Sequence, residues 1–362
     1  MAMKRINTLL LLLLTVPFLV GMTKENDEEL TRKFIDPPAS AKPQVWWHWM
    51  NGNVTREGIT ADLEAMANVG LGGGILFDAG LGTRWGVPEG TLTFNTPEWY
   101  EMVKFAATEA QRLGLELGIA NCSGWANSGG PWNTPEYAMK RVVYTETELK
   151  GGVQNSIKLD QPENPMGFYR DIAILAFRKP ATKYSVSDWT FKTFSNPGRK
   201  YTHPDTTEAP ADAIILKKGI VNLTEKCKEG VLTWDTPKGE WVVLRIGYAA
   251  INRVNGTGTR NGIGLECDKL SKEALQIHWA NYVGKTVEAL GPLAGSNGVL
   301  KTVLNDSYES GTQNWTQGLE KVFKERNGYD ITPWLPALTG RVVDSVKATE
   351  KFYNDFRLTI TE

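Results

Sequence analysis

Between residues 45 and 122 the chain alternates between short apolar runs and helical patterns, and this constrains its fold more than any other feature. VWWHWM (residues 45–50) reads as a buried strand. EGITADLEAMANV (57–69) sets Ile59, Leu63 and Met66 at helical spacing behind Thr55 as N-cap, and Gly70 ends it. GGGILFD (72–78) is a second strand. Thr96-Pro97 opens a helix that runs to Leu113 and closes at Gly114, and LELGIANC (115–122) is a third strand. Successive β-α units imply a parallel sheet with helical crossovers, because parallel neighbours cannot be joined by a tight turn. Chemistry in such sheets collects at the C-terminal strand ends. His48, Asn51, Asp78, Asn121 and Ser123 lie at those ends.

The pattern then changes. From about residue 141 to 264 the chain reads as short strands (RVVYTETEL, DIAILAF, AIILKKGIVNL, GVLTWD, EWVVLRIGYA) separated by Pro, Gly and Asn clusters. This predicts an all-β domain inserted into a strand-to-helix loop. The alternation resumes with a helix over 271–290, carrying Leu275, Ile277, Val283 and Val287, and a fourth strand over 299–309. Trp315-Thr316 leads into a helix through about Glu325, and a last helix covers 348–360. A closed eight-stranded barrel takes roughly 250 residues, whereas about 215 remain here outside leader and insertion, with four clear strands. The expected fold is therefore α/β: an incomplete (β/α)8 TIM-type barrel, about its first half, with an inserted all-β domain. The expected division is 1–22 signal peptide, 34–140 first part of the barrel, 141–264 insertion and 265–362 barrel continuation.

Composition narrows the function. Net charge is −1 and the pI near 6.4, which favours neither nucleic acid nor an anionic membrane surface. Trp (13) outnumbers Phe (12) and Tyr (11), an excess that suits gripping flat apolar faces. Lys4 and Arg5 precede an apolar run over 9–20, too short to span a bilayer, as in a secretory signal. Met22 stands where a lipoprotein would carry Cys after Leu19-Val20-Gly21. Export to the periplasm or beyond, with no lipid anchor and no stable membrane span, is expected. Cys122, Cys227 and Cys267 lack metal-ligand spacing, and His48, His203 and His278 are far apart without HxH or HExxH. Zinc is therefore not expected. No GxSxG elbow supports a serine hydrolase. Calcium held by Asp, Asn and backbone oxygens stays open, with no ligands assigned.

Three segments carry candidate chemistry. WWHWMNGN (46–53) follows a strand with His48, Asn51 and Asn53; it suits a sugar, whose CH faces stack on rings while its hydroxyls need fixed partners, or equally a Trp-rich core strand ending in a turn. ANCSGWANSGGPW (120–132) sets Trp125 and Trp132 with Asn121 and Asn127 in flexible Gly and Ser, like a sugar platform. NDSYESG (305–311) ends an apolar strand in Asp306 and Glu309. Glycoside cleavage needs a carboxylic acid at the glycosidic oxygen, and Tyr308 and Trp315 are placed to desolvate Glu309 for that role. Asp306 would orient Glu309 or hold a hydroxyl. A plain turn-capping role for DSYES, and for Glu266 and Asp268 in GLECDKLS, fits the sequence as well. A carbohydrate-binding protein without catalysis, using the Trp platforms alone, is the competing function.

VWWHWMNGNVTREGITADLEAM, ANCSGWANSGGPW, WVVLRIGY followed by GLECDK, and NDSYESGTQNWT with GYDITPWLPALTGRVV together resemble glycoside hydrolase family 106, the α-L-rhamnosidases. The resemblance runs from about Phe34 to the end. It implies a (β/α)8 catalytic barrel in a longer secreted bacterial enzyme that releases α-L-rhamnose from plant polysaccharide by an inverting, calcium-dependent mechanism. It implies Glu309 as general acid and His48, Asp78, Asn121 and Trp125 lining the sugar subsite. The partner base and the calcium ligands would then lie beyond this chain.

Overall fold

The structure is a computed structural model that describes residues 27–81, 86–194, 203–309 and 311–361. The expected signal peptide lies outside them. Four parallel strands form one sheet: β1 (Gln44–Met50), β2 (Gly73–Ala79), β3 (Glu116–Ala120) and, much later in the chain, Leu300–Leu304, in that spatial order. Helix α1 (Arg56–Asn68) and α2 (Pro97–Leu113) are the crossovers. Thr55 and Thr96 cap them by accepting N–H groups of Gly58 and Trp99, and Gly114 ends α2 at φ 67°.

One sheet face is dry. Trp47, Trp49, Leu76, Leu117 and Ile119 alternate out of the strands into a core with Leu63, Trp99, Val103 and Ala106 of the crossover helices. The helix expected over 271–290 is two helices, α3 (Lys272–Asn281) and α4 (Val283–Leu290). The break at Tyr282 swings its fully buried ring among Phe94, Trp99 and Trp132, so packing overrides the local helical pattern. The opposite sheet face, bearing Trp46, His48, Ile75, Phe77 and Thr302, is only partly covered: Trp46 is 53% exposed.

The intervening chain builds two antiparallel sheets. One pairs β4 (Lys140–Lys150), the strand Glu240–Ala250, β6 (Tyr169–Arg178) and Val221–Asn222; the other pairs β5 (Val153–Lys158), Val231–Thr236 and Cys227–Lys228. AIILKKGIVNL, expected as a strand, is broken by a 3-10 turn at Lys217–Gly219 and pairs only at Ile215, Val221 and Asn222, and the polar β5 gave no apolar signal.

Strand Glu240–Ala250 is apolar on both sides because both are covered. Trp241 and Val243 face the smaller sheet, whereas Val242, Leu244 and Ile246 face helices α5 (Leu319–Asn327) and α6 (Val346–Thr361). The core therefore does not divide at residue 264: the last two helices rest on the antiparallel sheet. Among the described residues no helix is long and apolar enough to cross a membrane.

Candidate active site

The C-terminal tips of the parallel strands bring three segments together. His48, near the end of β1, accepts the indole N–H of Trp125 on Nε2 at 2.8 Å. Trp125 belongs to the loop after β3. Asn121 opens that loop: its side-chain amide donates to the Asn127 carbonyl at 2.9 Å, and its own N–H continues the sheet ladder to Leu304. Asn127 in turn donates to the Asp306 carbonyl at 3.3 Å. Burial holds the pKa of His48 below its ordinary value, and the carboxylate of Asp306 partly offsets this. Thus His48, Asn121, Trp125 and Asp306 form one cluster, with Asn121 buried and acting on loop shape.

A second tie joins the same segments from beneath. Glu266, fully buried, accepts the backbone N–H and the hydroxyl of Ser128 at 3.0 and 2.9 Å and pairs with Lys269 at 2.7 Å. The Lys269 ammonium lies 4.8 Å from the Tyr308 ring centre. Burial pushes the Tyr308 phenol up to about 12, so it stays a neutral hydroxyl. Asp268 is buried as well, paired with Lys140 at 2.8 Å and hydrogen-bonded by Thr316 and Gln313. Neither acid opens to the site; both hold the point where the chain returns to the parallel sheet.

Two expectations need correction. Asp78 does not reach the His48 cluster. It pairs in register with Trp49, not His48, and so points to the helix-covered face, where Ser123 and Thr259 donate to it at 2.6 and 2.7 Å. It is 2% exposed, and burial pushes its carboxyl up to about 6. Its place is structural, fastening the loops at 123 and 259. Glu309 is solvent-exposed on the segment after Leu304, and Trp315 is buried in the core with α5 and α6, so it does not cover Glu309. An exposed carboxylate at a strand tip can still meet a ligand, but the enclosure read from Tyr308 and Trp315 is absent.

A cavity of about 850 Å³ lies to one side, between residues 80–81 and 89–94 and the loop at 256–263; Asn51, Glu89, Phe94, Thr259 and Arg260 line it, and none of the cluster residues does. Sequence reasoning missed Lys269, three residues after Glu266, because nothing local links it to Tyr308. Asn127 was visible in the Gly/Ser loop but not its role as the bridge to Asp306.

Residues 35–188 and 179–362 match the family described as alpha-L-rhamnosidase. The chain belongs to that family, glycoside hydrolase family 106. Over 91% of its length this family member is similar to the solved rhamnosidase of Novosphingobium sp. PP1Y, with a TM-score of 0.76 and 28% identity, and covers 44% of it. It is also 43% identical over 333 residues to a Formosa agariphila protein named "Putative beta-glucuronidase", matching 92% of this chain and 28% of that one. The chain thus spans less than half the length of either relative.

Proposed function

We propose that this chain contributes the substrate-binding tips and the general acid of an α-L-rhamnosidase acting on rhamnose-containing plant oligo- or polysaccharide. Glu309 gives its proton to the glycosidic oxygen. His48, Trp125 and Asp306 hold the sugar, and Asn121 shapes the loop that carries Trp125. The mechanism is inverting: a second carboxylate, roughly 6.5–9.5 Å from the acid, activates water on the opposite ring face. The observation that carries this reading is the meeting of β1, the 121–132 loop and the 305–309 segment at His48, Trp125, Asn127 and Asp306.

The parallel sheet is, in this proposal, about half of a (β/α)8 barrel, with the antiparallel sheets inserted between the strand Glu116–Ala120 and helix α3. Parallel sheets are ordinarily covered on both faces. Here β1 has no neighbour on its outer side among the described residues, Leu300–Leu304 has there only the single bridge from Leu300 to Ala294, and Trp46 is exposed on the inner face, as expected if further strands complete the ring. In this proposal the calcium implied by the family resemblance is held by residues of the longer enzyme outside this chain; among the described residues no group of three or more His, Cys, Asp or Glu is placed to hold a metal. Lys4, Arg5 and the apolar run support export; cell fractionation that finds the protein in the cytosol refutes it.

A second reading, cleavage of a uronide, draws on the name of the Formosa relative and on two cations beside the acid's segment. Arg141 donates to the Thr312 carbonyl at 3.1 Å, and Arg253 lies against Gly311. Assaying the full-length protein with aryl α-L-rhamnosides and aryl β-glucuronides in parallel decides between them. Binding of rhamnosyl oligosaccharides without product from either substrate would instead favour a non-catalytic carbohydrate-binding protein.

A further inference from the structure

The loop over 121–132 carries two tryptophans, and each gives its indole N–H to a histidine. Trp132 donates to Nδ1 of His278 at 3.0 Å, and Trp125 donates to Nε2 of His48 at 2.8 Å. An indole nitrogen can only donate. The receiving imidazole nitrogen must therefore be bare, and a neutral ring then carries its proton on the other nitrogen. For His278 this accounts for the second bond: Nε2–H donates to the Asn121 carbonyl at 2.7 Å.

For His48 the proton falls on Nδ1, and none of its hydrogen bonds among the described residues takes it up. The charged group that acts on this ring is Asp306. One of its carboxylate oxygens, Oδ1, accepts the Ser307 N–H at 2.6 Å; the other, Oδ2, is buried without a partner among the described residues. Leaving such an oxygen unsatisfied is costly. A hydroxyl group answers both neighbours, since it accepts from an N–H and donates to a carboxylate.

We propose that Trp125 is a positioning residue: by donating to Nε2 it locks His48 in the Nδ1–H form, so that His48 and Asp306 together present a donor and an acceptor to one hydroxyl of the bound sugar. This assigns Trp125 a role distinct from a stacking platform. Only the identity of the hydroxyl-bearing ligand rests on the proposed rhamnosidase reading.

The test uses side chains that mimic one imidazole nitrogen each, in the full-length protein with an aryl α-L-rhamnoside. His48→Asn keeps an N–H near the Nδ1 position but loses the ring and its bond to Trp125, and should lower kcat/KM by about threefold, less than a variant that loses the donor. His48→Gln keeps an acceptor near Nε2 but loses that donor, and should lower kcat/KM about tenfold, the scale of one hydrogen bond. Trp125→Phe should also cost about tenfold. In protein labelled with ¹⁵N-histidine, His48 (assigned by its loss in His48→Gln) should show a bare Nε2 and a protonated Nδ1. In Trp125→Phe it should show both tautomers. A wild-type spectrum with the proton on Nε2, or Gln outperforming Asn at position 48, overturns the proposal. If the wild-type protein cleaves no rhamnoside, the functional reading fails, while the spectra still decide the tautomer lock.

Discussion

Lys140 and Asp268, 128 residues apart, meet as an ion pair of 2.8 Å with both side chains almost completely buried. Lys140 begins β4, where the chain leaves the parallel sheet; Asp268 stands where it returns. The carboxylate also accepts the hydroxyl of Thr316, the amide of Gln313 and the N–H of Leu270, so its charge is satisfied only as long as the set is whole. Lys140→Met leaves that charge buried without a counter-ion. It should destabilise the protein by about 3–5 kcal/mol, read from denaturant unfolding. Lys140→Met with Asp268→Asn should recover part of the loss.

Asp78 supplies a pH prediction of definite sign. Its carboxyl is raised from 3.8 to about 6, chiefly by burial, against the lowering effect of Ser123 and Thr259. The folded state thus binds this proton more tightly than the unfolded chain does. The stabilisation is present in full below about pH 4 and is lost as pH rises through 6. Relative to Asp78→Asn, wild type should lose about 2 kcal/mol between pH 4 and pH 7, measured by urea unfolding across that range. A pH-independent difference would place the carboxyl in water.

The same residue shows how far the sequence could be read. Three β-α units were legible because Ile59, Leu63 and Met66, and then Thr96-Pro97 and Gly114, repeat local rules that no distant contact overturns. Strand ends could therefore be located, but not which face a residue at the end would take. Asp78 follows Phe77, and that single step of a period of two sends it to the helix side, away from His48. Trp315 misled in another way. Six residues from Glu309 in sequence, it is drawn into the α5–α6 core by contacts with residues beyond 350 such as Phe356. Long-range packing, which leaves no local mark, decided both.

His278 should make the 121–132 loop sensitive to acid. It is fully buried, Trp132 donates to it, and it donates to Asn121. Burial lowers its pKa; the Asn121 carbonyl and Glu266 work against that shift, and Lys269 adds to it. A histidine held neutral in the fold contributes stability that is complete above its unfolded value, about 6.5, and is lost as pH falls below it. Relative to His278→Gln, wild-type protein should therefore lose stability between about pH 7 and pH 5. His278→Gln, which keeps an acceptor and a donor but cannot charge, should be less stable at pH 7 by about 1–3 kcal/mol and show a flatter profile. Thermal melts at both pH values separate these outcomes.

Glu309 is tested by its leaving-group dependence. A general acid matters in proportion to how badly the departing oxygen needs a proton. Glu309→Gln in the full-length protein should lower kcat/KM by about 10²–10⁴-fold for an alkyl or glycosyl leaving group, and far less for an activated nitrophenyl one. Because Glu309 is exposed, the substitution should leave the thermal midpoint unchanged, so a loss of rate cannot be ascribed to unfolding. Equal losses on both substrates would assign Glu309 to sugar binding, and no loss on either would remove it from the site. A loss confined to the poor leaving group is the signature of proton donation to the glycosidic oxygen.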